Sequence, residues 1–191
     1  MGVVVLAGPS GSGKSRLAAR LGWPVLRLDD FYREHCDPGM PQSSLGIIDW
    51  DDPASWDHGA AIAAITSLCH SGTAEVPIYD IGKSERTGLA TLAAPEGRFV
   101  AEGLFATQII DECRKAGILD AAICVRHHRI VTFLLRLSRD RREGRKAPHV
   151  LVRRGWRLMR AEPAIIADAV AHGCTPMTPR QAEKFLHDLP R

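Results

Sequence analysis

Several patterns that define common classes of protein are absent from this sequence. It contains no asparagine, and therefore no N-K-x-D motif of the kind with which GTPases select guanine. No apolar run approaches the roughly 20 residues that a membrane-spanning helix requires. The five cysteines are scattered and none forms a C-x-x-C pair, which argues against a disulfide framework and a zinc site. We therefore expect a cytoplasmic protein without a signal peptide.

What is present is the composition of a globular domain, with 45% hydrophobic and 25% charged residues. A length of 191 residues predicts a single domain, 1–191, with a sizeable core. The net charge of +3 conceals an asymmetry, because residues 126–160 hold twelve Arg and Lys against two acids. Blocks of this kind often contact polyanions, which here could be a nucleotide triphosphate, RNA or DNA.

The most specific pattern is GPSGSGKS at residues 8–15, which has the spacing G-x-x-x-x-G-K-[ST]. It follows the apolar run 3–7 and precedes a predicted helix at 16–21, which is the strand-loop-helix setting of a phosphate-binding loop. Glycines let backbone N–H groups approach phosphate oxygens, the lysine reaches the β- and γ-phosphates, and the last hydroxyl ligates Mg²⁺. The predicted nucleotide-binding residues of this loop are Gly8, Ser10, Gly11, Ser12, Gly13, Lys14 and Ser15.

Predicted strands and helices alternate along the chain, which indicates an α/β fold with a parallel sheet covered by helices on both faces. Pro77 places the extended piece 75–80 at an edge or in a hairpin, followed by a turn over 81–88. A capping-box signal at Thr178–Gln181 starts a final helix. The other predicted strands are 25–28, 98–103 and 121–125, and the other predicted helices are 54–70, 105–116, 127–142 and 149–160.

Acidic residues follow two of the predicted strands, at the sheet edge where ligands bind in open α/β folds. Asp29 and Asp30 follow one strand, and either could accept the proton of an acceptor hydroxyl. If the strand continued through them they would point to opposite sides, so only one should face the site. Glu102 ends another strand and is a candidate, with Ser15, for the Mg²⁺ shell.

Four arginines of the basic segment are candidates for neutralising a transferring phosphoryl group. Arg136 and Arg139 are three residues apart and so lie on one helix face, and guanidinium groups bind phosphate oxygens in a bidentate manner. We predict that this segment, over about 127–146, is an arginine-rich lid. The candidates are Arg136, Arg139, Arg142 and Arg145.

Together these motifs resemble the uridine kinase family of P-loop kinases, whose relatives include nicotinamide riboside kinases, phosphoribulokinases and pantothenate kinases. The resemblance covers residues 1 to about 146. It rests on GPSGSGKS, DDFY (29–32), DWDDPASWD (49–57), PIYD (77–80), AEG (101–103) and RLSRDRREGR (136–145).

The resemblance implies a P-loop NTPase fold with a helical lid, ATP and Mg²⁺ as cofactors, and a small-molecule acceptor rather than nucleic acid or a membrane. It selects Asp29 over Asp30 as the general base, and makes Lys14 and Arg139 catalytic. Arg142 and Arg145 are expected on the ATP phosphates, without a choice between them. The implied acceptor-binding residues are Tyr32, Asp51, Tyr79, Arg86 and Arg136.

Two departures from the family pattern concern recognition of the acceptor. Uridine–cytidine kinases usually carry a histidine five residues after the hairpin tyrosine, where this chain has Ser84, and the lid is one residue shorter. We therefore predict a kinase whose first choice of acceptor is the 5′-hydroxyl of a ribonucleoside. Nicotinamide riboside, pantothenate or another small alcohol are the alternatives. A protein that only binds nucleotide, or a nucleic-acid-binding module using the basic helices, is the non-enzymatic alternative.

Overall fold

A computed structural model describes residues 2–95, 97–127, 160 and 162–189 of the chain. Five of its strands form one sheet in the order β2-β5-β1-β6-β7, and β3 and β4 form a separate two-stranded sheet. The strands are β1 (Gly2–Ala7), β2 (Val25–Arg27), β3 (Thr73–Asp80), β4 (Glu85–Ala93), β5 (Arg98–Glu102), β6 (Leu119–Val125) and β7 (Thr175–Met177). The helices are α1 (Lys14–Leu21), α2 (His58–Ser71), α3 (Ile110–Lys115), α4 (162–171) and α5 (Pro179–His187).

The five-stranded sheet confirms the predicted α/β fold with a parallel sheet and flanking helices. Its two outer pairs, β2 with β5 and β6 with β7, are both parallel. Strand β1 is buried along its whole length, and Phe99–Ala101 of β5 are fully buried. Such continuous apolar runs are expected where both faces of a parallel sheet are covered. None of the described helices has the length and apolar character to cross a membrane.

The chain divides into two compact units. The first unit comprises Met1–Val5 and Trp23–Ala121, and the second comprises Leu6–Gly22 and Ala122–Arg191. In the second unit, Arg20 of α1 contacts Glu183 of α5 at 2.9 Å. Helix α5 begins with the predicted capping box, in which the side chains of Thr178 and Gln181 each accept a hydrogen bond from the other's backbone N–H.

The hairpin of β3 and β4 confirms that the extended piece around Pro77 belongs to a hairpin, but the turn is shorter than predicted. It covers only residues 81–84, and β4 begins at Glu85, so the prediction that the turn continues to 88 is wrong. Ser84 closes the turn with a φ of 55°, which is rare for a residue other than glycine. Strand β4 was missed because most of its side chains are exposed and give no alternating pattern.

Several other boundaries differ from the predictions. The helix predicted over 105–116 is confined to α3, because residues 103–109 form turns, and the helix predicted over 54–70 begins only at His58. Strand β7 was not predicted. The predicted lid, about 127–146, and the second basic helix, 149–160, lie almost entirely outside the described residues.

Candidate functional site

The phosphate-binding loop lies in the second unit, between β1 and α1. Its three glycines all have positive φ, at 126° for Gly8, 83° for Gly11 and 93° for Gly13. A Cβ atom added at Gly8 would lie 2.4 Å from the backbone oxygen of Val125, so no other residue fits there without moving the backbone. These glycines are therefore required by the path of the loop, as the motif implies.

The polar groups of this loop fit a polyphosphate. Lys14 Nζ donates to the backbone oxygens of Gly8 at 2.7 Å and Pro9 at 3.3 Å, which holds the ammonium group against the loop. Helix α1 begins with Gly13 as its N-cap and has no side-chain cap, so its first N–H groups retain donor capacity. Ser12 is fully buried, and its hydroxyl has no hydrogen-bond partner among the described residues.

Asp29 lies in the first unit, in a short turn of 3₁₀ helix at Leu28–Phe31 rather than at the end of the strand predicted over 25–28. Its Oδ1 accepts a hydrogen bond from the backbone N–H of Leu104 at 2.8 Å. This bond joins the segment after β2 to the segment after β5, since those strands are neighbours. It fixes the orientation of the carboxylate.

Gly103 allows this approach. A Cβ atom added there would lie 2.7 Å from Asp29 Oδ1 and 2.7 Å from Leu28 Cβ. We expect Gly103→Ala to push Asp29 away from the Leu104 N–H and to destabilise the protein by about 1–3 kcal/mol, the usual cost of overpacking. Thermal denaturation would measure the loss. Gly59→Ala is a suitable control, because an added Cβ there meets only an ordinary contact at 3.9 Å; equal stability of the two variants would contradict the prediction.

Asp30, the other candidate base, is engaged differently. Its carboxylate lies 3.6 Å from the guanidinium of Arg27. Burial raises the pKa of Asp30, Arg27 opposes that shift, and the charge of Asp29 adds to it. The two neighbouring carboxylates therefore have separate partners: Asp29 contacts backbone following Glu102, whereas Asp30 contacts a side chain of β2.

Aromatic rings gather around Tyr32 in the first unit. Its ring lies 5.6 Å from that of Trp50, 5.9 Å from Tyr79 and 5.9 Å from Phe105, mostly in edge-on or tilted geometry. The Tyr32 hydroxyl donates to the backbone oxygen of Trp50 at 3.1 Å. Sequence reasoning missed Phe105, which was expected only as part of a helix, and the contact of Trp50 with Tyr32.

The surroundings of Tyr32 also connect it to two predicted site residues. Its hydroxyl donates to the carbonyl oxygen of Trp50, the residue directly before Asp51, and Asp29 lies in the turn that directly precedes Tyr32. The pKa of Tyr32 is raised, chiefly by burial and then by the negative charges of Asp29 and Asp51. The predicted residues Asp29, Tyr32 and Asp51 all belong to the first unit.

The hairpin residues Tyr79 and Arg86 are held by neighbouring segments. The Tyr79 hydroxyl donates to the backbone oxygen of Arg33 at 3.0 Å, and its pKa is raised mainly by burial. Arg86 donates to the carboxylate of Asp57 at 3.1 Å. Asp57 also caps α2 by accepting from the N–H of Ala60 at 3.0 Å. Asp57 therefore both caps α2 and forms an ion pair with Arg86.

The remaining predicted residues are placed only in part. Glu102 is the last residue of β5 and is partly exposed, in register with Arg27 of β2. Ser15 belongs to the first turn of α1 in the second unit. The four lid arginines, Arg136, Arg139, Arg142 and Arg145, lie outside the described residues. Their roles, and a shared role of Ser15 and Glu102 toward Mg²⁺, stay predictions.

No protein-family model matches the chain. Over 112 residues it is 31% identical to the Arabidopsis thaliana protein named inorganic pyrophosphatase TTM2, an alignment that covers 54% of this chain but only 15% of that protein. It is 24% identical over 161 residues to a uridine kinase from Tolumonas auensis, which covers 78% of this chain and 73% of the kinase.

The fold agrees with these similarities. A protein from Silicibacter sp. TM1040, assigned as a fructose transport system kinase, has 20% sequence identity and superposes with a TM-score of 0.61, covering 87% of this chain and 84% of the other. The resemblance to uridine kinase-like P-loop kinases that the motifs predict is confirmed. The chain is thus similar in sequence to a uridine kinase and has the fold of the P-loop kinases.

Proposed function

We propose that this protein is a kinase that transfers the γ-phosphoryl group of ATP to a hydroxyl of a small molecule. The first-choice acceptor is the 5′-hydroxyl of a ribonucleoside of the uridine or cytidine kind. The observation that carries the proposal is the orientation of Asp29 by the Leu104 N–H, beside the aromatic cluster of Tyr32. The phosphate-binding loop, with Lys14 and its glycines at positive φ, supports the proposal that the phosphoryl donor is a nucleotide.

Asp29 has the properties that a general base needs in this reaction. One oxygen is occupied by the Leu104 N–H, and in the proposal the other accepts the proton of the attacking hydroxyl. Positioning the hydroxyl for in-line attack is the larger part of catalysis, because phosphoryl transfer requires little covalent chemistry from the protein. A carboxylate with a fixed orientation meets that requirement better than a freely rotating one.

The phosphate-binding loop is proposed to bind the phosphates of ATP. Lys14 and the first N–H groups of α1 would bind the phosphate oxygens on which negative charge develops. Mg²⁺, when bound, supplies further neutralisation of that charge, and Ser15 and Glu102 are the residues proposed to hold it. Arg139, with Arg142 or Arg145, is proposed to complete the neutralisation from the lid.

The acceptor is proposed to lie against the rings of Tyr32 and Tyr79, with Asp51 accepting hydrogen bonds from ribose hydroxyls. Arg86 and Arg136 are the proposed cationic contacts. Arg86 would have to exchange or share its contact with Asp57 to bind an acceptor, since its guanidinium already donates to that carboxylate. The rings of Tyr32 and Tyr79 could stack on a nucleobase, and the Asp51 carboxylate could accept hydrogen bonds from ribose hydroxyls. This combination suits a nucleoside better than pantothenate, which has no ring to stack.

A screen of acceptors tests the function. ATP consumption should rise with one of uridine, cytidine, another nucleoside, nicotinamide riboside or pantothenate, and a phosphorylated acceptor should be recovered by mass spectrometry. Lys14→Met should abolish this product. Phosphate release from ATP without any acceptor would point to a hydrolase, and ATP binding without product from any acceptor would leave a nucleotide-binding protein; either result would overturn the proposal.

A further inference from the structure

Arg33 makes polar contacts with several segments of the first unit. Its guanidinium donates to the backbone oxygen of Ala54 at 3.1 Å and to that of Pro38 at 2.6 Å. Its backbone N–H donates to the oxygen of Ser55 at 2.9 Å. Asp37 lies 3.7 Å from its Nε, so the charge is balanced and the fork is oriented. The side chain is only 28% exposed, which agrees with this engagement.

The backbone oxygen of Arg33 completes the connection by accepting the hydrogen bond of the Tyr79 hydroxyl at 3.0 Å. The next two residues add contacts with the same hairpin. Glu34 accepts from the N–H of Arg86, and the N–H of His35 donates to the oxygen of Ser84 at 3.0 Å. The segment 33–35 is thus bonded to the hairpin turn on one side, and through Arg33 to the segment 54–55 on the other.

These contacts coincide with the residues that surround the proposed acceptor position. Tyr32 directly precedes Arg33, Asp51 lies just before Ala54, and Tyr79 is bonded to Arg33 itself. None of the three segments is a strand of the five-stranded sheet, so their relative placement depends on cross-links of this kind. The planar guanidinium suits the task, because its donors point in fixed directions toward two separate carbonyl oxygens.

We propose that Arg33 is a positioning residue for acceptor recognition. Its side chain holds the loop that carries Trp50 and Asp51 at a fixed place beside Tyr32, whereas Tyr79 of the hairpin is held by its backbone oxygen. This inference rests on the proposed kinase function. Because Arg33 contacts neither the phosphate-binding loop nor Asp29 in the described contacts, its effect should fall on the acceptor and spare the nucleotide.

The test compares Arg33→Ala and Arg33→Lys with the wild type. Loss of two charge-assisted hydrogen bonds should raise the KM for the acceptor about tenfold or more in Arg33→Ala, because the loop that carries Asp51 is then no longer held in place. The KM for ATP should change by less than about twofold, the scale of a nearly neutral substitution. Arg33→Lys should show a smaller rise, because an ammonium group keeps the charge but not the fork.

Arg114→Ala is the matched control, since Arg114 is an arginine of the same unit that pairs locally with Asp111 within α3. It should leave both KM values unchanged. A folded Arg33→Ala variant with the wild-type KM for the acceptor would overturn the inference. So would a parallel loss of acceptor affinity, ATP affinity and melting temperature, because that pattern indicates general destabilisation.

A second measurement keeps the inference separate from the proposed function. Hydrogen exchange of the acceptor-free protein should increase in Arg33→Ala within 49–57. It should stay unchanged in the strands of the five-stranded sheet and within 79–86, because the bonds of the hairpin to the Arg33 backbone, Glu34 and His35 are retained. If the wild type phosphorylates no acceptor, the kinase proposal fails, and this local change alone would still support positioning by Arg33. If exchange within 49–57 is unchanged, positioning by Arg33 is wrong whatever the activity.

Discussion

Asp29→Asn is expected to lower kcat by about 10²–10⁴-fold, the usual contribution of a positioned general base. The asparagine side chain has the same shape, and its oxygen can still accept the hydrogen bond from the Leu104 N–H. The substitution therefore removes the charge and the proton acceptor while keeping the local geometry. ATP affinity, measured by titration calorimetry, should stay at the wild-type value, because the phosphate-binding loop is unaltered.

The adjacent carboxylate provides the control for this experiment. Asp30 interacts with Arg27 rather than with the Leu104 N–H, so Asp30→Asn should keep kcat within a few-fold of the wild type. Each variant loses one negative charge from the same turn. A difference in kcat between them therefore reports the position of the carboxylate and not the change in net charge. Near-normal turnover of Asp29→Asn, or a greater loss in Asp30→Asn, would show that Asp29 is not the general base.

Gly8→Ala is expected to have the largest effect on the nucleotide half of the site. The new Cβ would lie 2.4 Å from the backbone oxygen of Val125. The φ angle at this position is 126°, which residues other than glycine rarely adopt. Backbone on both sides would have to move, at a cost of about 3 kcal/mol or more. For a chain of this size that corresponds to a fall in Tm of roughly 6–12 °C. We also expect ATP affinity to fall by more than about tenfold, since displaced N–H groups no longer converge on the phosphates.

Gly22→Ala separates the two causes of this loss. Gly22 also has a positive φ, of 68°, but an added Cβ there meets nothing within 4 Å. Its substitution should therefore show only the cost of the left-handed conformation, about 1 kcal/mol, with unchanged ATP affinity. Thermal denaturation and ATP titration of both variants make the comparison. Equal effects of the two substitutions would mean that the contact with Val125 is unimportant.

Much of the fold could be predicted because the relevant signals are local. The buried strand β1, the glycines of the loop and the capping box at Thr178 each depend on neighbouring residues, and each was found. Strand β4 could not be predicted, because most of its side chains are exposed and the sequence therefore shows no alternation of apolar and polar residues. The end of β2 at Arg27 was also missed, because the turn after it is stabilised by contacts distant in sequence, such as that between Asp29 and Leu104.

In the candidate site, too, local signals could be recognised from the sequence, whereas contacts between distant residues could not. The residue types at Asp29, Tyr32 and Asp51 could be recognised from motifs, and all three lie in the first unit, where the Tyr32 hydroxyl donates to the residue before Asp51. The partners that orient them were not evident from the sequence. The N–H of Leu104 carries no side-chain signal, and Phe105 was assigned to a helix that begins only at Ile110. Backbone donors and ring contacts of this kind follow from tertiary structure.

The partly buried hydroxyl of Tyr32 has a consequence for the pH dependence of the protein. Its raised pKa keeps the phenol protonated well above the ordinary value of about 10. We therefore expect that an alkaline decline of the proposed activity below about pH 10 does not come from ionisation of Tyr32. In the unfolded chain the same phenol ionises near pH 10, so the contribution of neutral Tyr32 to stability is complete below that pH. It is lost progressively as the pH rises toward the folded-state pKa, and alkaline unfolding should be weaker in Tyr32→Phe.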